Sequence, residues 1–258
     1  MKKLIATLSL IIFINQIGFG WGSIAHRAIG QLAQWHLSRT AEARITQILG
    51  SVDLAMASTW MDEIRSDSAY DYTNTWHWVT VPTGTTYDPE IQVPTGNAYE
   101  ATQRIISALK SDTLSLEQEQ EYLKMLVHLV GDLHLPLHIG TGEDRGGNDV
   151  RVRWMYEPDS SNLHRVWDSD MVNAKQLSYT ELANHLNRYV TPELVSENQS
   201  VYIEQWLDEA VELRDTVYDV PDNKRLGYEY MYHNWPIVEQ RLLLAGLRLA
   251  TILNDIYG

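Results

Sequence analysis

The run His128-Leu-Val-Gly-Asp132-Leu-His134-Leu-Pro-Leu-His138 sets a histidine and an aspartate four residues apart in an apolar stretch. On a helix this spacing puts imidazole and carboxylate on one face, as in a two-ligand metal clamp. Burying such groups is costly unless they are paired, so one pair alone fits a satisfied core contact as well as a cation site. Asn162-Leu-His164-Arg-Val-Trp-Asp168 repeats the spacing among apolar neighbours, and the repetition favours a cation site. His134 lies two residues past Asp132, about 200° around a helix, and reads as a residue that supports the site from behind or serves the core. His138 follows Pro136, which breaks or kinks a helix, so the chain can swing His138 back toward the cluster.

Two further segments supply the same residue types: Ser58-Thr-Trp-Met-Asp62-Glu-Ile-Arg65 and Trp76-His77-Trp78. Alone, Asp62 and Arg65 read more readily as a solvated helix face, and His77 as an exposed strand residue. Trp21-Gly-Ser-Ile-Ala-His26 adds an imidazole and, if Trp21 is a new N-terminus, an α-amine and a carbonyl. Without the two clamps it would be an apolar terminus followed by an ordinary helix residue.

The chain contains no cysteine. Disulfides and thiolate zinc sites are therefore excluded, and any metal must be held by His, Asp, Glu or backbone groups. Lys2 and Lys3 precede an apolar run from Leu4 to Phe13, with Gly18 and Gly20 just before Trp21. This is the pattern of a cleavable signal peptide over residues 1–20, and it points to a secreted or periplasmic protein. As a membrane anchor the run is short against the roughly 20 residues that a span needs. Cleavage would remove two lysines and no acid, taking the net charge from −14 to −16. No broad basic footprint for nucleic acid is present, so attraction for a polyanion would have to come from something local, such as bound metal.

The elements that must position these residues are mainly helical. Apolar residues recur at helical spacing over 24–37, 41–49, 98–109, 116–135, 182–190, 201–217 and 227–256. Pro236 suits the first turn of the last, amphipathic helix, which reads as scaffold. Two alternating segments, Trp76–Val81 and Val150–Trp154, read as strands that could pair in one small β-hairpin. Asn198-Gln-Ser200 fits the N-glycosylation acceptor pattern. With 44% hydrophobic residues, no repeat and no linker, residues 21–258 read as a single all-α domain, a helical bundle.

Taken together, several motifs resemble the type I single-strand-specific zinc nucleases, the mung bean nuclease type. They are Trp21-Gly-x-x-x-His26, Trp60-x-Asp62, Trp76-His77, the His128 to His138 run, Arg145-Gly-Gly-Asn148, the Asn162 to Asp168 run and the Pro236–Ala250 helix. The resemblance runs from Trp21 to the C-terminus and implies the fold shared by zinc-dependent phospholipases C and nucleases. It implies three Zn²⁺. One would be held by Asp62, His77, His128 and Asp132, a close neighbour by the Trp21 amine and carbonyl, His26 and Asp132, and a more exposed third by His138, His164 and Asp168. Asp132 would bridge the close pair. Water activated there would attack phosphorus in line, the third metal would stabilise the departing 3′ oxygen, and Arg65 would stabilise equatorial charge. Trp78 and Asn148 are implied as base-binding residues, with single strands preferred because an unstacked base offers a π-face.

The activity so implied is hydrolysis of RNA and single-stranded DNA to 5′-phosphorylated products, with 3′-nucleotidase activity, by a monomer without stable membrane association. Thr80 stands where that family often has an acidic residue, and the disulfides of its eukaryotic members are missing. Two alternatives remain at this stage. A zinc-dependent phospholipase C shares the three-metal design, although Asp168 stands where those enzymes usually have Glu. A non-catalytic zinc-binding helical protein would explain the ligands but not Arg65.

Overall fold

The computed structural model describes residues 21–90, 93–156, 161–199 and 202–258. The leader read over residues 1–20 lies outside them. Helices form where local signals agree with the apolar stripe. The chain enters α1 (Ser23–Trp35), α2 (Arg39–Leu49) and the short α3 (Leu54–Ala57) and α4 (Trp60–Glu63) before the site loops. α5 (Ala98–Lys110) and α6 (Leu116–Asp132) follow. The amides of the first turns of α2, α3 and α5 are met by Ser38, Asp53 and Asn97, and α6 opens with a reciprocal Ser115–Gln118 capping box. After α7 (Leu163–Arg165) a π-helical turn, Val166–Asp170, leads into α8 (Met171–Ala174). The remaining helices are α9 (Tyr179–Asn187), α10 (Pro192–Glu197), α11 (Ile203–Glu212), α12 (Arg214–Val217) and α13 (Tyr228–Tyr257).

This is the all-α bundle expected from the helical spacing. α1 lies at its centre, against α13, α9 and α3, with Ala25, Ala28, Ile29, Leu32 and Ala33 buried. α6 packs on α5, α4 and α13, and its last eight residues, Met125 to Asp132, are all buried.

Three expectations need correction. The segment Trp76–Val81 does not pair with Val150–Trp154. Only Val79–Thr80 (β1) is strand, and it pairs in parallel with Ile139–Gly140 (β2). Arg151–Trp154 (β3) instead pairs antiparallel with Ser161–Asn162 (β4) and parallel with Arg225–Leu226 (β5). Two whole helices, α5 and α6, separate the proposed partners, so no tight turn could join them, whereas β4 is the next extended segment after β3. Second, α6 stops at Asp132 and not at Leu135, because Pro136 forces Leu135 into an extended conformation (φ −80°, ψ 116°). Third, Pro236 is not at a first turn. It lies inside α13 on the solvent face, where the lost backbone hydrogen bond can be replaced by water.

Asn198 is buried, its amide NH₂ donating to the Leu194 carbonyl and its Oδ1 accepting from Arg248 Nε at 2.9 Å. Its side chain is thus a structural bond and not an accessible glycan acceptor.

Behind the end of α6, Glu209 of α11 accepts from Arg241 at 2.6 Å and from Arg248 at 2.6 and 2.7 Å. Burial alone would raise the Glu209 carboxyl, but the two guanidinium groups outweigh it and hold it below its ordinary value. Because the folded value is the lower one, this stabilisation is complete above the ordinary glutamate pKa of about 4.3. It is lost as pH falls through the folded value. Glu209→Gln is expected to cost about 2 to 4 kcal/mol at pH 7 and to flatten the acid side of the stability profile. Melting temperature against pH measures both, and identical acid slopes for the two proteins would contradict the assignment.

Candidate metal centre

The end of α6 carries the first clamp. His128 and Asp132 are both fully buried, with His128 Nε2 3.1 Å from Asp132 Oδ2. The Ser58 carbonyl after α3 lies 2.7 Å from His128 Nδ1. A carbonyl only accepts, so Nδ1 carries a proton and Nε2 faces the cluster.

Four other segments converge on this pair. His77 sets Nδ1 2.9 Å from Asp132 Oδ2 and 3.2 Å from His128 Nε2. His26, from α1, stacks on His128 with ring centroids 4.0 Å apart and sets Nε2 3.4 Å from Asp132 Oδ1. That approach requires glycine at position 131, where a Cβ would lie 2.8 Å from the His26 ring. Asp62, at the end of α4, brings Oδ1 to 3.8 Å from His128 Nε2, and Arg65 follows it with Nη1 3.9 Å from the same oxygen. The break at Pro136 swings His138 back, its Nδ1 3.6 Å from Asp132 Oδ1.

The second clamp lies beside the first. His164 stacks on His138 at 5.1 Å, and its Nδ1–H donates to the Gly146 carbonyl at 2.8 Å, leaving Nε2 as the ring nitrogen available to a cation. Asp168 sits on the π-helical turn, a distortion frequent at functional sites. Its own carbonyl accepts from the Gly22 amide at 2.9 Å, which fastens the segment of the fully buried Trp21 to this clamp.

Hydrogen bonds do not satisfy this constellation. Both nitrogens of His26, Asp62 Oδ1, His77 Nε2, Asp132 Oδ1, His138 Nδ1 and Asp168 Oδ1 are buried without a hydrogen-bond partner. So many unmet donors and acceptors in one place are costly in a native core, whereas cations would satisfy the lone pairs among them. Two sets bring ligand atoms within 4.8 Å of one another, His26 with Asp62 and His128, and His77 with His128 and Asp132. The charges show the same need. Burial opposes the charged form of His128, yet Asp132 and Asp62 outweigh it and push its pKa up to about 9. Burial holds Asp168 well above the usual carboxylate range, with Asp62 and Asp132 adding to it. His128 and Asp168 thus retain protons where a cation would stand, whereas burial lowers His26 and takes His138 down to about 3. Imidazole nitrogens and carboxylate oxygens are among the donors that hold zinc.

Other candidate residues fall differently. Trp78 is exposed where the adjacent His77 is buried. Its half-exposed indole lines a cavity of about 830 Å³ with Thr80, Tyr87 and Asn97. Asn148 spends its amide NH₂ on the Arg145 carbonyl at 2.9 Å and so shapes the Gly-Gly loop. His134 is held between the Val130 carbonyl and Arg248, away from the cluster. Sequence reasoning missed the carbonyls of Ser58 and Gly146, which orient the two clamp histidines. A backbone oxygen carries no residue signature, although the Gly-Gly pair marked the second of them.

A family model described as S1/P1 Nuclease matches residues 21–258. This chain belongs to the S1/P1 nuclease family. Among relatives of this S1/P1 nuclease, Endonuclease 2 of Arabidopsis thaliana is 28% identical, over 93% of this chain and 91% of the relative. Nuclease S1 of Aspergillus oryzae is 24% identical over 98% of each chain. Nuclease P1 of Penicillium citrinum is 31% identical over 58% of each. The family decides between the alternatives left by the sequence in favour of a nuclease, with nucleic acid as its substrate class.

Gly146 provides a test of the second clamp. It has φ +61°, and a Cβ there would lie 2.2 Å from the Leu137 carbonyl oxygen. Gly146→Ala should therefore displace the carbonyl that orients His164 and destabilise the protein by about 1 to 3 kcal/mol from backbone strain alone. Denaturant titration with metal analysis checks this, and wild-type stability with wild-type metal content would refute it.

Proposed function

We propose that this protein is an exported nuclease with three Zn²⁺. On this reading it hydrolyses phosphodiester bonds of RNA and single-stranded DNA to 5′-phosphorylated products and also acts as a 3′-nucleotidase. The observation that carries the reading is the buried set of unsatisfied imidazole and carboxylate atoms around Asp132. One ion would be held by Asp62, His77, His128 and Asp132, a second by the Trp21 amine and carbonyl, His26 and Asp132, and a third by His138, His164 and Asp168. Zinc supplies Lewis acidity toward a phosphoryl oxygen and brings the pKa of bound water toward about 7.

The protein's own groups then position substrate. Arg65, beside Asp62, offers a planar donor set for equatorial phosphoryl oxygens. Trp78 follows a ligand directly, and its exposed indole offers a face on which a base of the bound strand would stack. A base must leave the duplex stack to do so, which favours single strands. Asn148 would act on the base side through the loop that it shapes. All nine ligand residues belong to one chain, which supports a monomer. No helix among the described residues is long and apolar enough to cross a membrane, and the reading of export rests on the leader pattern of residues 1–20.

The purified mature protein should release nucleotides from single-stranded DNA and RNA, leave phosphatidylcholine intact and contain three zinc ions per chain. One zinc or none, or lipid hydrolysis without nucleic-acid hydrolysis, would overturn the proposal. Asp132→Ala should lose more zinc and more thermal stability than Asp168→Ala, because it removes a ligand from two ions.

The N-terminus gives a separate test. An indole N–H is a poor ligand, so Trp21 would coordinate through its main-chain amine, which exists only after the leader is removed. A chain retaining one residue before Trp21 should lose or weaken one zinc and cleave single-stranded DNA far more slowly. Processed Trp21→Ala should retain more activity than that extended chain. Equal zinc content and equal rates for extended and processed wild-type protein would disprove the N-terminal ligand.

A further inference from the structure

The ligands of the more exposed third ion lie on either side of one loop. His138 immediately precedes β2, and Gly146 within the loop orients His164 through its carbonyl, at 2.8 Å from Nδ1. The loop has few apolar contacts of its own, since Gly142, Glu143 and Arg145 are exposed. It is held from outside. Arg214, the first residue of α12, donates from Nε to the Ile139 carbonyl at 3.1 Å and from Nη2 to the Gly140 carbonyl at 3.2 Å. One turn later on the same face, the Tyr218 hydroxyl donates to Asp144 Oδ1 at 3.1 Å. That same oxygen accepts the Gly147 amide at 3.1 Å.

Two side chains four residues apart therefore grip both ends of the loop. One fixes the backbone that leaves His138, and the other fixes the aspartate that ties down the Gly-Gly turn facing His164. We propose that Arg214 and Tyr218, with Asp144, are positioning residues for the third zinc. Through the loop they set the distance and orientation of His138 relative to His164, while touching neither ligand side chain. The inference rests on the three-zinc reading and extends it to residues outside the ligand set.

The outer partners of metal ligands typically change affinity by about tenfold to a hundredfold. Zinc per processed chain is measured after equilibration with graded chelator, beside the melting temperature of the metal-free protein. Tyr218→Phe and Arg214→Gln should each give up one zinc at about tenfold to a hundredfold lower chelator, with the other two ions unmoved and metal-free melting of Tyr218→Phe unchanged. Arg214→Lys should behave like Arg214→Gln, since an ammonium cannot serve two carbonyls with the fork of a guanidinium. If Arg214→Gln fails to fold, Tyr218→Phe decides. His164→Ala run in parallel should lose the same single ion. If it loses none, the third site itself is wrong and the inference falls with it. If it loses one while Tyr218→Phe and Arg214→Gln keep the wild-type chelator profile, the positioning assignment is wrong and the site stands. Uniform weakening of all three ions together with a lower metal-free melting temperature marks a merely structural role and also overturns the proposal.

Discussion

A fully buried carboxylate, Asp132, is the constraint around which this molecule is arranged. In an apolar helix end its charge is tolerable only if it is paired, and four histidines from four segments of the chain surround it. His26 comes from α1, His77 from the segment before β1, His128 from the preceding turn of α6, and His138 from beyond the Pro136 break. Its carboxyl is accordingly held well below the ordinary range, burial being outweighed first by His128. The central place of α1, the glycine at position 131 and the abrupt end of α6 all serve to bring these groups together.

The net charge gives this arrangement a second meaning. A chain at −14 repels polyanions at long range. A concentrated group of divalent cations in one recess would reverse the sign locally, so attraction would be confined to the place where hydrolysis occurs. The surroundings of Trp78 fit such confinement, because its cavity is lined mainly by threonines, tyrosine and asparagine, with Asp88 as an acid. Base and phosphate would thus be recognised by different means, stacking for one and charge for the other.

Much of the site was legible in the sequence because its signals are side-chain types at helical spacing. His128 with Asp132 and His164 with Asp168 announced themselves by separation and apolar context. Asp62, His77 and His26 acquired meaning only in company, since each alone resembles an ordinary surface or helix residue. Helices with caps were readable to within a few residues. The strands were not, because β1, β2, β4 and β5 are two residues long. Segments so short pair wherever tertiary packing brings an extended backbone, and alternation cannot name the partner. The same limit hid the Arg214 and Tyr218 contacts, which depend on the approach of α12 to a loop more than seventy residues earlier.

The dispersal of the ligands also bears on how the chain resists unfolding. No cysteine is present to cross-link it, yet the converging side chains belong to segments as far apart as α1 and the turn after α7. Ions seated among them would close long loops in the manner of covalent bridges, and closure of long loops removes the most freedom from an unfolded chain. Unlike disulfides, such bridges need no oxidising partner and can be reopened by a chelator. Metal supply would then govern not only turnover but how long the molecule survives among proteases.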